Sequence, residues 1–244
     1  MAEPRVAQLV KALPLGPETR LLTFALPEGE IGFAGGQYII VNTRIELPGG
    51  KLAKRAYSIL SGDAEQKQFQ IAVRRIGSGP GSNFMHGIAE GAELEFSGPW
   101  GKFVANGAPV GPRLVFATDT GITAGLGLLQ GHGSRTLADV TTAVWFIESD
   151  SYFLPPGFAR ESLLGLVREF RIAAAPRTTD STRIASAIAV LDDSVASTLP
   201  SSAFLAGDGA LIHPLRERLV AAGMKRETIR LEAFFNNPER RVQS

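Results

Sequence analysis

The stretch Arg55-Ala56-Tyr57-Ser58-Ile59-Leu60-Ser61 decides the reading of this chain. It lies among short apolar runs separated by glycine and proline. On an extended strand, residues two apart share a face. Arg55 and Tyr57 therefore point one way, with Ile59 next in the same spacing. Arginine presents a planar fork of donors matched to a phosphate. Tyrosine adds a flat ring and one hydroxyl. Ser58, on the other face or at a bend, adds a small rotatable donor. The set suits a ligand with both a phosphate and a flat polar ring. Alone, a strand bearing Arg and Tyr is more commonly a solvated strand, so the flanking segments have to decide.

Upstream, Gly35-Gly36-Gln37-Tyr38 leads into an apolar run. Downstream come Gly79-Pro80-Gly81-Ser82-Asn83-Phe84-Met85 and then Ser97-Gly98-Pro99-Trp100-Gly101. Residues 81–91 read as a short helix, with Ser82 capping its start and Gly91 ending it. A glycine-rich helix entry presents free N–H groups and a positive dipole end, which suits a phosphate. A plain loop into a plain helix is the alternative, and Arg55 upstream favours a shared diphosphate.

In this order and spacing, residues 5–104 resemble the flavin-binding barrel of the ferredoxin–NADP reductase superfamily. The resemblance implies FAD. It implies that Arg55, Ala56 and Tyr57 hold the flavin chain, with Ile71 and Val73 on the next strand beside them. Gly79, Gly81, Ser82 and Asn83 would meet the diphosphate. Ser58 would bond near flavin N5, where hydride arrives, and so has a catalytic role.

The periodicity supports the corresponding fold class. Residues 5–12, 19–26, 38–42, 55–60, 69–73 and 94–96 read as short strands joined by turn residues, as in an antiparallel β-barrel. This domain is expected over residues 1–106, and residues 105–112 read as a linker. Beyond it, strands at 114–118, 143–148, 169–174, 203–206 and 229–234 alternate with helices at 122–132, 158–167, 183–191 and after Gly209. That pattern means an α/β doubly wound parallel sheet, expected over residues 107–235. Residues 236–244, with Arg240-Arg241, read as a solvent-facing tail.

The loop Asp119-Thr120-Gly121-Ile122-Thr123-Ala124 stands where the superfamily places its nicotinamide-dinucleotide loop. Thr120, Gly121, Ile122 and Thr123 match the family pattern. Asp119 replaces a usual glycine and Ala124 a usual proline. A carboxylate about 4 Å from a phosphate costs roughly 1 kcal/mol in water and about 4 at a partly buried surface. Either Asp119 turns away, to a ribose hydroxyl for instance, or dinucleotide affinity is poor. Glu148-Ser149-Asp150 would repel a 2′-phosphate and leans toward NADH, whereas Arg177-Thr178-Thr179 offers a phosphate site and leans toward NADPH.

Gly207-Asp208 forms a second loop at the same edge. By the resemblance it joins the dinucleotide site, although Ala206 replaces the frequent family cysteine. Glu232-Ala233-Phe234-Phe235 matches the family's terminal segment. There Glu232 would help handle a proton, and Phe234 or Phe235 would cover the flavin. A final strand with a buried aromatic pair is the alternative.

Composition narrows the function. The chain has 244 residues, 44% of them hydrophobic, a net charge of +1 and no cysteine. The charge gives no general pull toward nucleic acid or membrane. Without thiols there is no disulfide and no thiolate-held cluster, hence no fused ferredoxin domain, and a reducing cytoplasm fits. The first sixteen residues lack the apolar core of a secretory signal. No apolar run approaches the roughly 20 residues that span a bilayer. His86, His132 and His213 share no metal spacing, so no metal is expected. Trp100 and Trp145 read as core.

The resemblance then implies a reductase that takes hydride from NADH or NADPH onto FAD. It would pass electrons to a protein such as ferredoxin, flavodoxin or an oxygenase component. Two alternatives stand beside it. One is a small-molecule reductase acting on free flavin or a quinone. The other is a flavin-bearing binding or assembly subunit with a degenerate dinucleotide loop.

Overall fold

The computed structural model describes residues 4–47, 49–77, 79–149 and 152–234. Phe235, Asp150 and residues 236–244 lie outside them. Period-two burial builds the first half. The strands are β1 (Arg5–Gly16), β2 (Thr19–Ala25), β3 (Tyr38–Leu47), β4 (Lys51–Ser58), β5 (Gln68–Arg74) and β6 (Glu93–Trp100). They pair antiparallel in the order β4-β3-β6-β1-β2-β5. Inward residues such as Leu9, Leu22, Phe24, Ile39, Val41, Phe69 and Phe96 fill one core. The two edge strands meet beyond the end of β4, where the Leu60 N–H donates to the Gln70 carbonyl at 2.8 Å. The sheet is thereby curled into a barrel.

Several strands outrun their expected limits. β1 continues through Pro14, which sits at an irregularity in the pairing with β2, so Pro17 and Glu18 alone make the turn. A proline is tolerated there because the ladder is already interrupted. β3 runs on to Leu47 past a similar irregularity after Asn42. The helix differs more. α1 spans Pro80–Gly87, with Gly79 before it and Pro80 in the first turn. Ser82 therefore lies inside the helix and does not cap it. Its hydroxyl accepts from the Ile76 N–H and donates to the Gly79 carbonyl, both at 3.1 Å. Gly91 does not end the helix either; it takes a left-handed turn at φ 89° four residues later. Arg20 closes α1 instead, donating to the carbonyls of Met85, His86 and Ile88.

The second half alternates strand and helix. Its elements are β7 (Arg113–Thr118), α2 (Ile122–Gln130), α3 (His132–Arg135), β8 (Thr141–Ile147), α4 (Pro156–Ser162) and β9 (Glu169–Ala174). α5 (Arg183–Val195), β10 (Ser202–Asp208), α6 (Gly209–Ala221) and β11 (Ile229–Phe234) follow. Two expectations change. The single helix at 122–132 breaks at Gly131, whose backbone is extended, and the helix at 158–167 is the shorter α4. The strands are parallel, in the order β11-β10-β7-β8-β9. Val115, Ala117, Trp145 and Phe204 pack on one face with α2 and α4. Leu114, Phe116, Val144 and Phe146 pack on the other with α5 and α6. Chain order reverses between β7 and β10, which opens a crevice at their carboxyl ends, the position where such sheets bind ligands.

The halves touch backbone to backbone. A Cβ at Gly127 of α2 would lie 2.1 Å from the Ile59 carbonyl oxygen, so only glycine fits. Gln130 Nε2 donates to the Leu60 carbonyl at 2.8 Å. The Asp63 carboxylate accepts from Gly35 N–H at 2.9 Å and His132 N–H at 2.7 Å. Among the described residues, no helix is long and apolar enough to cross a membrane.

Candidate active site

β4 delivers the first group of residues. Arg55 and Tyr57 are half-buried and alternate with exposed Lys54 and Ala56, as the strand period requires. The Arg55 stem crosses the start of α1, where a Cβ on Gly81 would lie 2.5 Å from Arg55 Cγ. The Arg55 stem and Nε therefore lie against the N-terminal turn of α1, while Nη1 donates to the Lys54 carbonyl at 2.8 Å. Tyr57 is buried enough to push its hydroxyl up to about 12, so it stays a donor. Ser58 is 7% exposed, and its Oγ has no hydrogen-bond partner among the described residues. A buried hydroxyl without a partner is costly unless a ligand supplies one. That orphan, on the strand that carries Arg55 and Tyr57, is free to take a partner from a bound flavin.

Other expected flavin contacts fall differently. Ile71 and Val73 are 0% and 1% exposed, and their side chains are in the barrel core. Their side chains serve the barrel core, which leaves their backbone groups for a ligand. Asn83 Nδ2 donates to the Gly77 carbonyl. Ser82 is spent on the loop before α1, as described above. Trp100 is another correction, being 37% exposed at the end of β6, with its indole N–H directed at Ser97 Oγ.

The loops after β7 and β10 interlock at the crevice. A Cβ at Gly121 would lie 2.3 Å from the Ala206 carbonyl, and one at Gly207 would lie 2.3 Å from Thr118 Oγ1. Thr118 Oγ1 accepts from the Asp208 N–H at 2.9 Å. Asp208 caps α6 by accepting from the Ala210 N–H. Thr123 turns back onto the Thr120 carbonyl at 3.0 Å, and Ile122 is buried. Much of this segment thus shapes the loop and leaves its backbone for a ligand.

Asp119 adopts φ 49°, the left-handed conformation that glycine takes freely and Asp tolerates. Its carbonyl accepts from Trp145 Nε1 at 2.8 Å. Its carboxylate turns to Arg183, with Nη2 at 2.7 and 2.8 Å from the two oxygens. Arg183 also donates to Glu148 Oε1 at 3.1 Å and to the Pro176 carbonyl. Thr178 Oγ1 donates to the same Glu148 oxygen at 2.5 Å. Glu148 and Thr178, expected to face a ribose or a phosphate, are engaged with each other.

Glu232 stands where the halves meet. β11 pairs it with Ala206. A Cβ at Gly101 would lie 3.1 Å from the Tyr38 ring and 3.5 Å from Glu232 Oε2. Burial pushes the Glu232 carboxyl up to about 7. Tyr38 is raised by burial and then by the Glu232 charge. Tyr38 is also the register partner of Ser58. The structure therefore sets Tyr38 beside Glu232, with Ser58 across the ladder from Tyr38. Phe234 is half-buried against the core beside α2. The sequence assigns no role to Arg20 or Arg183, and Tyr38 enters it only within the Gly35–Tyr38 segment. An acid at a glycine position does call for a cation, but nothing local says which one.

An antiparallel barrel joined to a parallel sheet with a glycine loop at its switch point is the two-domain fold shared with solved FAD- and nucleotide-binding proteins. The profile of the family described as "Oxidoreductase FAD-binding domain" matches residues 6–104. Ferredoxin–NADP reductase B of Sorangium cellulosum is 42% identical over 123 residues, 50% of this chain and 49% of that protein. The chain thus spans about half the length of this relative. Among solved structures, an Amycolatopsis cytochrome P450 reductase superposes with TM-score 0.73 at 20% identity, over 96% of this chain and 71% of the other. The cytochrome b5 reductase domain of Ulva prolifera nitrate reductase gives 0.70 at 15%, over 94% and 97%. Residues 6–104 thus match an oxidoreductase FAD-binding domain, and over half its length the chain is similar to a ferredoxin–NADP reductase.

Proposed function

We propose that this chain is an FAD-dependent NAD(P)H oxidoreductase that passes electrons to a protein acceptor such as ferredoxin, flavodoxin or an oxygenase component. The observation that supports it most is the orphaned Ser58 hydroxyl, three residues along β4 from Arg55 and directly across the ladder from Tyr38. Arg55 and the start of α1 hold the diphosphate, and Tyr57 keeps its proton and donates. Ser58 orients the reacting ring, and Glu232 holds or releases a proton near neutral pH. Bound there, the flavin accepts two electrons together and releases them singly. The interlocked loops after β7 and β10 present Thr120 and Gly121 to the dinucleotide.

A second reading is favoured by Asp119: a flavin-bearing subunit whose loop no longer admits a dinucleotide. Reduction by neither NADH nor NADPH would support it. Small-molecule reductases are separated from the main reading by the acceptor. Cytochrome c reduction that depends on added ferredoxin supports a protein acceptor; equal turnover with a free quinone does not. The cofactor is tested directly by acid release and chromatography of the purified protein. One FAD per chain is expected, and FMN, or no flavin after reconstitution, overturns the reading.

A further inference from the structure

Asp119 brings a carboxylate to a loop whose backbone N–H groups would otherwise receive a diphosphate. Unopposed, one charge about 4 Å from a phosphate weakens binding about fivefold in water and up to about a thousandfold at a half-buried surface. The charge is opposed. Arg183 comes from 64 residues away and is only 3% exposed, while Asp119 and Glu148 are 32% and 23% exposed. Its guanidinium meets both Asp119 oxygens and one from Glu148, and lies 5.6 Å from the Phe146 ring centre. α5 does not explain this arginine. Arg183 is its first residue, where the helix dipole disfavours a cation and no acid stands in the first turn. The two carboxylates are what it serves.

We propose that Arg183 is a positioning residue for dinucleotide binding. By holding the Asp119 carboxylate to itself, it lets a loop with an acid in place of glycine accept a diphosphate. The inference rests on the oxidoreductase reading above. It also ties the ends of β7 and β8 to the start of α5, so a ligand on the Asp119 loop meets a fixed surface.

The test uses the FAD-loaded protein. Affinity for NADH is taken from the concentration dependence of anaerobic reduction, and affinity for NAD+ from calorimetry, each at low and high salt. Arg183→Met should weaken both about tenfold at low salt, less at high salt, with the loss in Kd and KM more than in the limiting rate. Arg183→Lys should recover part of the loss. Asp119→Gly/Arg183→Met should return affinity to within about threefold of native, because one acid and one base leave together and Glu148, further from the loop, keeps its bond from Thr178. Asp119→Gly alone is expected to fold, since glycine suits φ 49°, and should shift affinity by less than about threefold. That variant decides the matter if Arg183→Met does not fold. A salt-sensitive gain of about tenfold or more in Asp119→Gly would show an uncancelled charge and overturn the inference. A folded Arg183→Met with native affinity would do the same. If the native protein binds neither dinucleotide, the oxidoreductase reading itself falls, which is a different result from either.

Discussion

At the scale of single residues, chemistry concentrates on two groups. Ser58 keeps a buried hydroxyl without a protein partner. Ser58→Ala should keep FAD yet slow its reduction, because the lost bond acts on the hydride step more than on binding. It should not destabilise the flavin-free protein, since a buried unpaired donor contributes nothing favourable. An unchanged single-turnover rate at saturating NAD(P)H would remove Ser58 from the mechanism. Glu232 is the other group. Burial raises it from 4.5 to about 7, so the folded chain retains a proton that the unfolded chain releases. Its contribution is most favourable below about 4.5 and is lost as pH rises through about 7. Glu232→Gln stays neutral and escapes that loss. The Tm of the variant should therefore gain on native between pH 5 and pH 8, and a constant difference would contradict the burial argument. Arg55, Tyr57 and Ser58 are legible in sequence because their relation is a two-residue period. The Arg183 clamp is not, because its partners are 64 and 35 residues away.

At the scale of elements, α1 shows what local patterns convey and what they miss. Glycine before a helix points to a phosphate site, yet the helix starts earlier than the Ser82 pattern suggests. Ser82 looks like a cap, but Pro80 fixes the first turn two residues earlier. The strands, bounded by glycine and proline, are readable to within a few residues. Their extensions depend on interrupted pairing with a neighbour, which one strand's sequence does not contain. Gly81 offers a test that separates folding from binding. Gly81→Ala should lower FAD affinity by about one decade, since the new methyl displaces the Arg55 stem that holds a phosphate. The flavin-free protein should change little, because the cost of shifting the Arg55 stem is offset by the better helix propensity of Ala, about 1 kcal/mol. Titration with FAD and thermal unfolding of the same samples check both halves. Undiminished affinity would mean that Arg55 and α1 do not share the ligand.

At the scale of the whole molecule, the arrangement of the halves matters more than either alone. The residues just after Ser58, Ile59 and Leu60, rest on α2, which follows the Thr120-Gly121 loop directly. The end of the strand proposed to hold the flavin is thus fixed against the helix that follows the proposed dinucleotide loop. β11 returns Glu232 to the same seam beside Tyr38 and Gly101. The alternation of strand types makes both halves legible in sequence. Their seam is not, because it depends on glycines that meet carbonyls of the other half. The central claim is that hydride passes across this seam from NAD(P)H to FAD. Anaerobic stopped-flow mixing of the FAD-loaded protein with NADH and with NADPH tests it most directly. At least one should bleach the oxidised-flavin absorbance in a saturable, single-turnover phase. A flavin that dithionite reduces but neither dinucleotide does would contradict the account.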